Sequence, residues 1–229
     1  MTRSVLRATI RKKLGETTAV YWQDSDLNQW IEDAQLDVVW QTRCKRQRTL
    51  ATSVADTVRY TLTSLISNPL KVLSVRLYDS TSEKWRRLTQ RTFDYLDKNY
   101  PEWESADPGQ PIEYAYDVEL NEFVLYPKAD TAYVGTDYLE IYNVSKPTAI
   151  ASDNASPDLP EVVHKAVIDY VVATGLESRG YQDIANVHWG FYSGRLANYM
   201  TKRDEQEDGE VVMHPERHTS TYDQGVYRG

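Results

Sequence analysis

The 229 residues carry 26 lysines and arginines against 34 aspartates and glutamates, a formal charge of -8, with 41% hydrophobic residues and one cysteine. That length supports one sizeable core plus an insertion or tail, and a lone thiol excludes an internal disulfide or a cysteine-based zinc site. No apolar run approaches the ~20 residues of a bilayer span and Met1 to Thr18 lacks a signal-peptide stretch, so a soluble, non-secreted protein with no membrane partner is expected.

In chain order, the first predicted helix runs from Thr2 to Leu14, with Val5, Leu6, Thr9, Ile10 and Lys13 near one face and Gly15 ending it. A second amphipathic helix of about 20 residues is expected from an N-cap at Ser25 to near Cys44, with Leu27, Trp30, Ile31, Ala34 and Val38 at helical spacing. Alternating patterns then predict strands at Thr49–Val54 and Thr57–Leu62 joined by Ala55-Asp56, and a hairpin of Leu70–Tyr78 with Lys84–Leu88 around Asp79 to Ser82. A short helix over Thr92–Tyr100 stops at Pro101. Three more strands follow at Ile112–Tyr116, Glu122–Tyr126 and Tyr138–Val144. Helical periodicity returns after Pro160, with one helix closing near Gly180 and another from Gln182 to Lys202 carrying Ile184, Val187, His188, Phe191, Leu196 and Tyr199; Gly190 and Gly194 within it suggest close helix contact.

The pattern gives an α+β fold: a bundle of N- and C-terminal helices (1–48 and 157–204), an inserted, mostly antiparallel β-rich region (49–156), and an extended C-terminal tail (205–229). The tail is acidic at Asp204, Glu205, Glu207, Asp208 and Glu210. It then spaces Val211, Val212, Met213, Tyr222, Val226 and Tyr227 among polar residues, a pattern that fits either a plain terminus or a segment that orders on a partner.

Charge is uneven along the chain: residues 1–48 carry a net +3 and the remainder -11. Basic residues cluster at Arg3, Arg7, Arg11, Lys12 and Lys13 and again at Arg43, Lys45, Arg46 and Arg48, where solvated helix ends account for them better than a DNA surface. The seventeen Tyr and six Trp, against three Phe, suit half-wet interfaces.

Chemistry-bearing motifs are scarce. His164, His188, His214 and His218 lie in no nucleophile motif, and Pro215 undercuts the i, i+4 spacing of the last two as metal ligands. No phosphate loop or dinucleotide fingerprint occurs, and Asp117, Glu119, Glu122 and Asp130 do not match a calcium loop. No catalytic residue, metal or cofactor is therefore assigned. Aromatics such as Trp85, Tyr95 and Tyr100 are read as packing residues in preference to base-stacking ones.

The layout as a whole resembles the phage head-to-tail adaptor (connector) proteins that sit beneath the portal ring. The residues that carry the resemblance are Trp22-Gln23-Asp24-Ser25-Asp26-Leu27 leading into Trp30-Ile31-Glu32-Asp33-Ala34, then Thr57-Val58-Arg59-Tyr60-Thr61-Leu62. Gly109-Gln110-Pro111, Leu125-Tyr126-Pro127 and Leu159-Pro160-Glu161-Val162-Val163-His164 follow in order. The resemblance spans most of 1–202. It implies a structural, non-enzymatic virion protein at the head-tail junction, assembled in the host cytoplasm as a ring of generally twelve copies. It further implies a portal protein on one side, a next tail component (nozzle or tail tube, possibly with fibres) on the other, and DNA passing through the ring without specific binding. By position, the portal-docking tail is Val211, Val212, Met213, Tyr222, Val226 and Tyr227. The alternatives are a tail-associated cell-wall hydrolase using an acidic pair and a DNA-binding accessory protein using the basic N-terminal helix.

Overall fold

The computed structural model describes residues 1–16 and 18–207. Its first helix, α1 (Arg3–Leu14), starts where the Thr2 hydroxyl accepts the Val5 N–H and stops at Gly15, whose φ of 74° suits a residue without a side chain. Only Leu6, Ile10 and Arg11 are buried on it. Val5, expected on the inner face, is exposed because it lies about 100° around the helix from Leu6.

Helix α2 (Asp24–Thr42) begins slightly earlier than expected. Its N-cap is Gln23, not Ser25, because the Asp26 carboxylate accepts the Gln23 N–H at 3.3 Å. It stops at Thr42, two residues before Cys44. There the Thr42 hydroxyl bonds back to the Val38 carbonyl at 2.6 Å, and Arg43 turns left-handed at φ 53°, its N–H capping Val39.

The middle of the chain forms two four-stranded sheets. In the first, β1 (Arg46–Ser53), β8 (Gly135–Ser145), β3 (Pro69–Asp79) and β4 (Lys84–Arg87) lie in the order β1-β8-β3-β4, all antiparallel. In the second, β2 (Arg59–Thr61), β7 (Glu122–Tyr126), β6 (Glu113–Asp117) and β5 (Thr89–Gln90) run in the order β2-β7-β6-β5, the last pair parallel. The expected pairing of the strands around residues 49–62 is therefore corrected: β1 and β2 enter different sheets. The Ala55-Asp56 turn is held from outside, since Asp56 donates its N–H to the Ala129 carbonyl at 3.1 Å and pairs with Lys128. Leu62 leaves β2 to begin a single turn, α3 (Leu62–Leu65).

Inward side chains of the two sheets meet in one apolar cluster that includes Val72, Val75, Leu77, Tyr114, Phe123 and Ile141. On the other face of the second sheet, Leu96 of α4 (Phe93–Asn99) and Trp103 cover Ala115 and Val124. Trp85, Tyr95 and Tyr100 pack on neighbouring rings: Trp85 lies 5.4 Å from Tyr78, Tyr95 6.3 Å from Tyr100, and Tyr100 4.3 Å from Tyr126.

The chain then returns to its first two helices. A single 3-10 turn at Glu161–Val163 leads into α5 (His164–Glu177), which is buried around most of its circumference and joins α1, α2 and α6 (Gln182–Glu207) in a second core. Gly175 marks the closest approach, since a Cβ there would lie 3.3 Å from Leu14 and 3.5 Å from the Trp22 indole nitrogen. The connecting segment is strapped along α2: Glu32 accepts the Ile150 N–H at 2.8 Å, Gln35 the Asp158 N–H at 3.0 Å, and Lys45 pairs with Asp158. The fold is thus α+β, with helices from both ends of the chain packed together and the strands between them.

Candidate functional site

The basic N-terminal helix was the first place to hold chemistry, and its charges turn inward. Arg3 reaches the Asp153 carboxylate and the Ile150 carbonyl, both at 2.9 Å, and Arg7 pairs with the same carboxylate at 2.5 Å. Arg11 donates to Glu16 at 3.0 Å, to the Trp22 carbonyl at 2.8 Å and to Asp24 at 2.6 Å, while Lys13 reaches Asp169 at 2.6 Å. The reading of these residues as a solvated helix end is corrected for four of the five. Their partners were legible only as acids scattered along the chain. Hydrogen bonds from Arg7 and Arg3 hold the Asp153 carboxyl below the usual aspartate range. The second basic cluster is also redistributed: Arg46 and Arg48 stand on β1, not at a helix end, and Arg48 shares Glu140 with Arg76. A nucleic-acid surface needs free cations that exchange counterions with phosphate; Arg3, Arg7, Arg11, Lys13, Lys45 and Arg48 are already engaged by carboxylates of the same chain.

Two buried carboxylates organise the bundle, and neither was singled out from the sequence. Asp169, fully buried on α5, accepts from Lys13 of α1 at 2.6 Å and from Arg195 of α6 at 2.5 Å, with His188 Nδ1 at 3.5 Å. Burial alone would raise its pKa, but the hydrogen bonds from Lys13 and Arg195 outweigh it and hold the group lowered. Glu16, between α1 and α2, takes backbone N–H groups from Val20 at 2.6 Å, Tyr21 at 2.5 Å and Trp22 at 3.4 Å besides the Arg11 guanidinium. Burial raises this carboxyl, and those donors bring it below the ordinary value.

Catalytic geometry finds little to stand on among the described residues. His164 is boxed in, its Nε2 3.1 Å from the Leu159 carbonyl, and burial pushes its pKa down. His188 faces Asp169, and His214 and His218 lie outside the described residues. Among the described residues, the carboxyl groups of Glu16, Asp79, Asp153, Asp158 and Asp169 are each held below their ordinary values. A glycosidase general acid requires the opposite shift. Among the described residues no three potential ligands gather around a metal position, and no helix is long and apolar enough to cross a membrane.

What the chain does present is uncovered apolar surface. On α6, Ile184, Val187 and Phe191 are 55%, 53% and 53% exposed, while Ala185, Tyr192 and Leu196 on the opposite side face the core. Gly190 and Gly194 were expected to mark a close helix contact. They meet nothing, since a Cβ at either position would have no neighbour within 4 Å, and both open onto the same outer face. A second patch lies on α2, where Leu36 is 44% and Trp40 63% exposed beside Leu70 and Tyr170. The sequence did carry a signal for this patch: Leu36 and Trp40 are four apart and stand on the far side of α2 from Leu27, Ile31 and Val38. A third surface is a cleft of about 480 Å³ where Arg179 lies 4.2 Å over the Tyr21 ring, flanked by Val20 and Tyr181. The six tail residues expected to dock on a portal, Val211, Val212, Met213, Tyr222, Val226 and Tyr227, lie outside the described residues.

Residues 1–217 match the family described as SU10 adaptor protein. Among solved structures, a chain from the neck of an empty GTA particle computed with C6 symmetry is 16% identical, covering 75% of this chain and 76% of that chain, with a TM-score of 0.29; no residue role is carried across at that distance. No curated protein matches the chain.

Proposed function

The chain belongs to the SU10 adaptor protein family, in keeping with the head-to-tail adaptors its layout resembles, and from that premise we propose that it works as a ring of copies, twelve in number, at the head-tail junction of a tailed phage. Seated beneath the portal protein, the ring joins it to the next tail component, a nozzle or tail tube, and surrounds the channel through which DNA passes. The protein is a structural part of the virion, assembled in the host cytoplasm, and not an enzyme.

The observation that carries this reading is the pair of apolar faces, Ile184/Val187/Phe191 on α6 and Leu36/Trp40 on α2, that a single copy leaves in water. Two different sticky faces on one molecule suit head-to-tail association, which closes into a ring when the rotation between copies allows. The net charge of -8 supports passage of DNA without adhesion. Each lateral contact is weak alone; a portal that aligns several copies raises the effective concentration of every newcomer and turns weak contacts into a saturated ring. Residues 210–229 reach the neighbouring portal surface and act as a clamp.

Mixing the purified chain with its cognate portal and measuring the complex by native mass spectrometry and low-resolution electron microscopy tests the reading. A closed ring of defined copy number on the portal supports it, and a chain that stays solitary in the presence of the portal refutes it.

A further inference from the structure

The two stacked sheets have two outer sides, and these differ in charge. Side chains alternate across a strand, so one row crosses the outer side of the first sheet through Leu50, Glu140, Arg76 and Arg87. Arg48 and Tyr142 flank it on one side; on the other, Tyr78 lies 5.0 Å from Tyr138 and 5.4 Å from Trp85. Glu140 is buried under Arg48 and Arg76, two cations on one acid, whose own side chains stay 54% and 43% exposed. Arg87 is exposed and has no side-chain partner among the described residues. The opposite side, beyond α4, is acidic: Asp94, Asp97, Glu102, Glu104 and Asp107 are exposed there against Lys98 and Arg59, and Arg59 is taken by Glu104. A cleft of about 590 Å³ opens on this side between Tyr100, Trp103 and Tyr126, rimmed by Glu102 and Asp107. Glu113 stands on the same side of its sheet as its cross-strand neighbour Tyr126. It is 5% exposed; Oε1 accepts from Arg91 at 2.8 Å, and the buried Oε2 has no partner. Its charge raises the phenol of Tyr100, in the cleft wall, above the ordinary tyrosine value.

We infer that the basic side of one copy's β-region docks on the acidic side of the next copy's, with Arg87 entering the cleft between Tyr100 and Tyr126. The inference rests on the ring reading and adds to its helical contacts a charged one between the sheets. Tyrosine walls, an acid rim and a buried carboxylate with an oxygen to spare suit a guanidinium, which is flat, always charged and stacks on rings. The chain itself carries the complement, since Arg87 sits among Tyr78, Tyr138 and Trp85, the mixture of Arg and aromatic residues in which protein interfaces are rich. The two surfaces also lie on opposite sides of one stacked pair of sheets, so every copy offers one and receives the other, as head-to-tail closure requires. Basic side on basic side, or acidic on acidic, opposes like charges. A second copy is therefore the occupant in which charge, rings and direction agree.

Two charge-reversed populations of the full chain test this, one carrying Arg87→Glu and the other Glu102→Lys with Asp107→Lys. All three positions are exposed, so the circular dichroism of both should match the parent. Either population alone sets like charges against each other, and its lateral dissociation constant should rise at least about tenfold. Their mixture should recover the ring, with the two kinds alternating, as read by native mass spectrometry after a mass tag on one. On a Cys44→Ser background, Arg87→Cys chains should form disulfides with Asp107→Cys chains and not with one another, which keeps the pairing testable where a reversed chain fails to fold. Rings of Arg87→Glu as complete as the parent's, a mixture that stays dissociated, or parent-like rings without any disulfide between positions 87 and 107 overturn this pairing and leave the ring reading standing. Duplex DNA retarded at low salt by the parent and released by Arg87→Glu assigns the basic side to a polyanion and likewise overturns it. A parent chain that forms no oligomer with or without the portal overturns both.

Discussion

Replacing Asp169 with alanine removes a carboxylate with no solvent exposure that ties three helices together through Lys13 and Arg195. Two charge-assisted hydrogen bonds at about 1.5–3 kcal/mol each set a gross loss of about 3–6 kcal/mol. Two offsets reduce it. Alanine recovers the several kcal/mol spent in burying the charge, and the freed cations turn to water, since Lys13 is 36% and Arg195 43% exposed. The net loss should be about 2 kcal/mol, which for a chain of this size lowers the thermal midpoint by about 4–8 °C. The pH dependence gives a second reading. The folded carboxyl is held below its ordinary value of 3.8, so its stabilisation is complete above that pH and is lost as the pH falls through the folded value. Urea midpoints of the parent and of Asp169→Asn should therefore differ by a constant amount from pH 5 to 8 and converge below about pH 4. An Asp169→Ala midpoint within about 1 °C of the parent, or a gap that does not close in acid, would refute the argument that this buried charge is held by its partners.

Glu16→Gln leaves three backbone N–H groups with one weaker acceptor and breaks the pair with Arg11; a loss of about 2 kcal/mol in urea unfolding is expected, and an unchanged midpoint would show that water takes over the turn. Gel shifts at low salt should show no retardation of duplex DNA, because Arg3, Arg7, Arg11 and Lys13 are already paired; salt-dependent binding that vanishes on neutralising them would revive the accessory reading. Deleting residues 205–229 should leave a folded monomer, with a cooperative thermal transition, that no longer saturates the portal, and full portal occupancy by the shortened chain would count against the clamp.

The helices at both ends were legible because their apolar residues recur at 3.6, a period that needs no knowledge of the partner. Strands were legible for the same reason at period two, but their neighbours were not: Thr49–Val54 and Thr57–Leu62 read as a hairpin, and nothing local told that Lys128 and Ala129 would claim the turn at Asp56. The start of α2 went astray because Ser25 is a better N-cap by type, whereas Asp26 reaching back to Gln23 decided the matter. Gly190 and Gly194 misled: small residues in a helix read as a close helix contact, and only the packed chain shows that neither meets a neighbour. Asp169 and Glu16 were invisible for a simpler reason: among 34 acids, nothing in sequence marks those whose charges are sealed in.

The helical core is made of the first and last parts of the described chain, which has a consequence during translation. Leu6, Ile10, Leu27 and Ile31 emerge from the ribosome early, yet α5, which covers them, begins about 120 residues after α2 ends; at about 5–20 residues per second the wait is on the order of 6–24 s. Throughout that interval the nascent helices expose the stripes that later become interior, a target for holdase chaperones. The same delay acts as a checkpoint. A polypeptide terminated before α6 has α2 with its Trp40 but neither a finished bundle nor the Ile184/Val187/Phe191 face, so on the proposed ring it lacks one of the two surfaces that assembly would use.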